Sequence, residues 1–281
     1  MSVAFCFMLL LAAQHCHADT PLEVTLVSEV TSIQPGRPFY AGLHLHHGPA
    51  YHSYWKYPGI VGVPTGVTWK LPRGFEAGEI EWPEPEPVLM FKIKAQGFER
   101  DVVLPVKITP PANLKPGEVV KLEGKASWMS CARTCHPGFT DISLSLPVSN
   151  DAPAFDEKWR PAFEKERSLA ARPSDAWQTA ATESGMTVVL TVTPVRSGAR
   201  KFTADQTQKI IFFTEDGWID SDKPQVIRLN ADGSIAITLT RSDIYLGKEP
   251  PRTLAGLLQS RDGWLNDGKL ASLSISPTIG R

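Results

Sequence analysis

Cysteine is scarce in this sequence, with four residues in 281, and neither sign of charge is in excess: 29 Lys and Arg stand against 30 Asp and Glu. Binding to nucleic acid or to an anionic membrane surface calls for a basic stripe, and none is present, so nucleic acid is excluded as a partner. Long apolar runs are lacking too. "VAFCFMLLLAA" near the start covers 11 residues, fewer than the roughly 20 that span a bilayer. No later window is longer. A phosphate-binding glycine loop, a Ser-His-Asp arrangement and a carboxylate pair are absent as well. So are fixed-period repeats and low-complexity tracts. No cofactor is expected from such a text.

What the short apolar run fits is the core of a secretory signal peptide. It precedes "QHCHADTPLEV", and cleavage after Ala18 would leave Cys16 and Ala18 at the recognition positions. Residues 1–18 are therefore read as a signal peptide and the product as a soluble, periplasmic protein. Cys6 and Cys16 would leave with the signal. The mature chain would keep Cys131 and Cys135 in an oxidising compartment.

From Leu22 to Val148 the pattern is one of short strands divided by Pro and Gly. "LEVTLVSEVTSI", "PFYAGLHLHH", "HSYWKYPG", "GVTWKLP", "DVVLPVKITP", "VVKLEGKASWM" and "TDISLSLPV" are seven candidates, with "LPRGFEAG" among the breakers. That spacing predicts an immunoglobulin-like β-sandwich over 19–148. Residues 149–179 read as a linker with a short helix that starts near Pro161. Strand patterns return in "MTVVLTVTP", "KIIFFTED", "QVIRL", "IAITLTRS", "TLAGLLQS" and "KLASLSISPT", a second β-rich domain over 180–281. "NADGS" and "RDGWLNDGK" read as hairpin connections. His52, Tyr54, Trp55, Trp69, Trp82 and Trp128 are expected to pack the sandwich. Glu84 and Glu86 in "WPEPEP" are expected to be solvated charges on a stiff proline segment.

The surviving cysteines lie in "WMSCARTCHPG", Trp128 to Gly138. As a staple, a bridge closing so small a loop restricts the unfolded chain by only about 2 kcal/mol. As metal ligands, Cys131, Cys135 and His136 are soft donors, and "HLHH" could complete a set. His44 and His46 would share a strand face about 7 Å apart, with His47 pointing the other way; histidines at this strand end read more simply as exposed residues. As a redox pair, the cysteines would flank a hairpin tip between two strands, within disulfide reach and open to a thiolate. Arg133 and His136 could favour the thiolate electrostatically. Spacing by itself does not choose between staple and exchange.

"HSYWKYPGIVGVPTGVTWKLPRGFEAGEIEWPEPE", then "DVVLPVKITPP" and "WMSCARTCHPGFTDISLSLPV", resemble in order and motif the N-terminal periplasmic domain of the thiol:disulfide interchange protein DsbD, closest to the ScsB-like branch. The resemblance implies an immunoglobulin-like domain acting as a protein-disulfide reductase component. Cys131 and Cys135 would be its redox pair. A membrane-embedded electron donor protein and periplasmic thioredoxin-like client proteins would be its partners. It also places Phe91 where the family's cap loop covers the disulfide with an aromatic ring. Two departures stand out: Leu89 occupies the place of an acidic residue beside that aromatic, and the cysteines are closer in sequence than in DsbD. The membrane and thioredoxin-like domains of DsbD have no counterpart in this text, so electrons would come from a separate protein. The alternative is a non-enzymatic extracytoplasmic binding module, possible for a soft metal such as copper, with a structural Cys131–Cys135 disulfide.

Overall fold

The computed structural model describes residues 21–280; the predicted signal peptide, with Cys6 and Cys16, lies outside them. The described chain is all-β in class, 48% strand and 5% helix. Its first strands are β1 (Leu22–Ser28), β2 (Phe39–His47), β3 (Ser53–Tyr54), β4 (Gly66–Lys70) and β5 (Glu76–Ile80). There follow β6 (Glu86–Met90), β7 (Ile93–Phe98), β8 (Val102–Thr109), β9 (Val119–Cys131) and β10 (Cys135–Pro147). One sheet has the order β1-β2-β8-β5 and faces another of order β10-β9-β4, as an immunoglobulin-like sandwich. A third, small sheet of order β3-β7-β6 lies at the end where the cysteines are.

Two-residue alternation decides what each strand buries. On β2, Phe39, Ala41, Leu43 and Leu45 enter the core with Leu104, Val106 and Ile108 of β8, and Leu122 and Ala126 of β9. The opposite face of the first sheet gives Val27 and Val103 to Phe163 of helix α1 (Arg160–Leu169). Pro161 at the helix start costs nothing there, because the first amides of a helix have no intrahelical acceptor. Pro105 sits in β8 beside β5, where the register slips between Ala77 and Ile80. Its missing N–H falls one residue beyond the last β5 pair, Ile80↔Val106, and its carbonyl accepts from Glu81 N–H at 2.8 Å.

Three strands lie outside the seven sequence candidates. β5 begins in a segment read as a breaker, β6 begins in the stiff proline segment, and β7 falls on residues for which no element was expected. Their charges masked them. The expectation for Glu84 is corrected as well. Its carboxylate is buried and accepts from the Ser272 hydroxyl, and burial pushes its pKa upward.

Beyond α1 come β11 (Trp177–Ser184), β12 (Thr187–Pro194), helix α2 (Ala204–Thr207), β13 (Ile211–Thr214), β14 (Val226–Leu229) and β15 (Ile235–Thr240). β16 (Gly256–Gln259), β17 (Ser272–Ile275) and β18 (Ile279–Gly280) complete the chain. They build a sheet of order β14-β15-β12-β11-β18 and a smaller one of order β13-β16-β17. "NADGS" joins β14 to β15, and "RDGWLNDGK" lies between the paired strands β16 and β17, as their turn residues predicted. Trp177, Trp218 and Trp264 fill the core between these sheets with Leu190 and Ile237.

The smaller sheet is shared. Phe212 and Leu258 enter this second core, while their neighbours Phe213 and Leu257 enter the first. That is why "IIFF" is apolar at consecutive positions: both faces of β13 are covered.

Candidate functional site

β9 and β10 pair in unbroken register from Val119↔Pro147 to Cys131↔Cys135. Two steps of alternation explain the approach to the tip. Trp128 stands opposite Gly138, and a Cβ on Gly138 would lie 2.4 Å from the indole ring, so only glycine admits that side chain across the ladder. At the end, Cys131 spends both backbone polar groups on His52, N–H and C=O each at 2.9 Å. It therefore faces Cys135 as a non-hydrogen-bonded pair, the closer of the two antiparallel spacings. The Cα atoms are 4.1 Å apart and the sulfurs are joined as a disulfide. Ala132, Arg133 and Thr134 form the loop, closed by Ala132 N–H donating to the Thr134 carbonyl at 3.0 Å.

The two sulfurs have unequal surroundings. Cys131 is 0% exposed, whereas Cys135 is half-buried. Around them gather Tyr54, Val88 and Ala95, with Val61, Met90 and Met129 at the margin. Val88 and Met90 alternate inward from β6, and Ala95 comes from β7, so the hairpin β6–β7 is the cover. Met90 Sδ touches Cys135 Sγ at 3.4 Å. Phe91, the predicted cap aromatic, is at the tip of this same hairpin but 67% exposed, with φ +56°. Two-residue hairpin turns demand such a left-handed backbone, which a bulky side chain adopts at a cost. The side chain that meets the sulfur is thus its neighbour, Met90.

His52 and Tyr54 complete the floor. Their rings meet edge-on at 5.1 Å, and His52 Nε2 lies 3.3 Å from the Tyr54 hydroxyl. Burial lowers the His52 pKa and raises that of Tyr54, so both are neutral near pH 7. An apolar, uncharged setting disfavours a thiolate at Cys131 once the bond is open.

Arg133 is exposed within the loop. His136, one residue past Cys135, faces the other side of β10. There its Nε2 lies 2.9 Å from the Thr134 hydroxyl, and its ring meets Tyr51 edge-on at 5.8 Å. The histidines of β2 keep apart from this tip in their bonding. His44 and His46 share a face as predicted, ring centroids 6.4 Å apart, and His46 pairs with Asp101 at 2.7 Å. His47 is not the exposed residue expected: it is buried on the opposite face and bonded to the Ser53 hydroxyl at 2.9 Å. Among the described residues, no three His, Cys, Asp or Glu side chains converge on a position for a metal ion.

Sequence reasoning reached the cysteines but not Met90, Val88, Met129 or the whole hairpin. The available signal was the period of "VLMF", with Val88 and Met90 inward and Leu89 exposed.

Comparison with known proteins agrees with this geometry. The family model described as thiol:disulfide interchange protein DsbD, N-terminal, matches residues 19–147. The N-terminal periplasmic domain of ScsB from Proteus mirabilis superposes with a TM-score of 0.60 at 16% identity, over 92% of this chain and 93% of that one. At that identity the likeness is one of fold. A protein of unknown function from Porphyromonas gingivalis W83 aligns at 12% identity over 93% of this chain and 100% of that one, with a TM-score of 0.25, too low to indicate a shared fold. No curated protein matches. The segment that carries the disulfide, its loop and its covering hairpin is therefore a DsbD-type N-terminal domain.

Proposed function

We propose that this protein performs thiol–disulfide exchange in the periplasm, with Cys131 and Cys135 as its working pair. One observation carries the reading: a disulfide at the end of a strand pair with one sulfur buried and the other half-exposed under a hairpin. A staple gains from being sealed. An exchanging bond needs one reachable sulfur and one that is held.

In the reduced protein the Cys135 thiolate attacks a client disulfide. A bond forms from Cys135 Sγ to one client sulfur while the other client sulfur leaves as a thiolate. Cys131, having lost its proton, then attacks Cys135 Sγ, closes the Cys131–Cys135 bond and releases the second client thiolate. Two electrons have passed to the client. A dithiol on a separate membrane-embedded donor restores the pair by the same steps in reverse, attacking the accessible Cys135 Sγ and expelling Cys131. Thioredoxin-like periplasmic proteins are the fitting clients, since they present a single exposed disulfide. Arg133, inside the closed loop, supplies positive charge that favours a thiolate. Phe91 offers an exposed ring for a client to cover. A signal peptide over residues 1–18 would deliver the chain to this compartment.

The test is trapping. Cys131→Ser should accumulate a mixed disulfide with an oxidised thioredoxin-like protein through Cys135, whereas Cys135→Ser should not. Equilibration with glutathione should give a potential above about -300 mV. A more negative value together with no trapped species would assign the bond to structure alone.

A further inference from the structure

The hairpin β6–β7 is held from two directions. One face of β7 presents Ala95 to the disulfide cluster. Its other face presents Gln96, 2% exposed, to β13 of the C-terminal half. There the side-chain amide stands in for a strand partner. Its Nε2 donates to the Thr214 carbonyl at 2.9 Å and to the Tyr57 carbonyl at 2.6 Å, and its Oε1 accepts from Thr214 N–H at 2.9 Å. Nearer the tip, Lys94 N–H donates to Asp222 Oδ1 at 2.9 Å, and the Ser221 hydroxyl donates to the Lys94 carbonyl at 3.3 Å. The segment leading into β6 is tied as well, through Gln259 Nε2 to the Pro85 carbonyl at 3.4 Å and through Ser272 to Glu84.

A two-stranded hairpin is marginal by itself in water, and β3 pairs only with Gly97 and Phe98 of β7, which leaves the tip-ward part of the hairpin without a third strand. Lifting Met90 off Cys135 by swinging this one would strand the buried amide of Gln96 and both backbone groups of Thr214, and unpaired buried polar groups are expensive. We infer that the C-terminal half is a clamp on the cover. Gln96 is the positioning residue, acting through the hairpin to set how often Cys135 is uncovered. The inference deepens the exchange reading and rests on it for its purpose, although the clamp itself can be measured without any client.

The experiment is reduction of the Cys131–Cys135 bond in the full mature chain by excess dithiothreitol, followed by alkylation and mass shift. Hydrogen exchange of the β6–β7 amides is recorded alongside. Gln96→Leu should speed reduction about tenfold or more and deprotect β6–β7, because opening no longer strands a buried amide. Asp222→Ala, at a half-buried position, should act in the same direction severalfold, and Asp222→Asn, which keeps the acceptor, should restore the slower rate. If Gln96→Leu does not fold, the Asp222 pair carries the test. Unchanged reduction rates in folded variants would overturn the clamp. So would a faster rate that merely tracks a fall in the urea midpoint with β6–β7 exchange rising no more than elsewhere. A small reductant asks only about the cover, so failure here leaves the trapping result standing, and failure of trapping leaves the clamp standing.

Discussion

His47 shows how burial turns a single side chain into a pH-dependent contribution. Removal from water, opposed by the Asp101 carboxylate, lowers its pKa from 6.5 to about 4. As pH falls through 6.5 the unfolded chain takes up a proton that the folded chain refuses until about 4. The stabilisation is therefore whole above pH 6.5 and is lost on acidification down to about 4, by up to about 3 kcal/mol. His44 and His52, also lowered by burial, add in the same sense. His46, raised by its bond to Asp101, opposes them, but it is exposed and screened by water. Urea midpoints at pH 7.5 and 4.5 should show the loss, and His47→Gln should flatten it; equal slopes in the two proteins would refute the assignment. At this scale the sequence was partly legible. The spacing of His44 and His46 placed them on one face, but how deeply each of the three histidines is buried depends on the elements packed against β2, which no local pattern records.

The β9–β10 hairpin is the element that makes the site. Alternation in "KLEGKASWM" and "TDISLSLPV" foretold its two strands, and the loop between the cysteines followed from them. Trp128 over Gly138 fixes the register three residues before the tip. Gly138→Val should force the indole out or shift the ladder, at a cost of about 1–3 kcal/mol. It should also slow recovery of the Cys131–Cys135 bond after reduction and dilution, read by alkylation. Wild-type stability and reoxidation in that variant would show that the pair does not depend on this contact. The covering hairpin was hidden by contrast. Glu86, Lys94 and the exposed Leu89 and Phe91 break its apolar signal, because one face meets water or a polar clamp instead of a core.

For the whole molecule, the shared sheet β13-β16-β17 makes the two cores continuous. Phe213 and Leu257 face one, Phe212 and Leu258 the other. Phe213→Ala should cost about 3–5 kcal/mol. The loss should appear in fluorescence and circular dichroism as one lowered transition shared by both halves. Two separated transitions in the wild-type chain would contradict that coupling.

The amino-acid sequence by itself determined the strand character of nearly every long element, the pairing of the two cysteines across a hairpin tip and the helix start at Pro161. Each is set by period, turn residues or proline chemistry within a few positions. Tertiary structure alone decided which sulfur is reachable, that Met90 and not Phe91 touches it, and that Gln96 and Glu84 are bonded to the distant C-terminal half. Exposure and long-range polar pairing depend on which surfaces meet after the chain has folded, and local alternation carries no record of that.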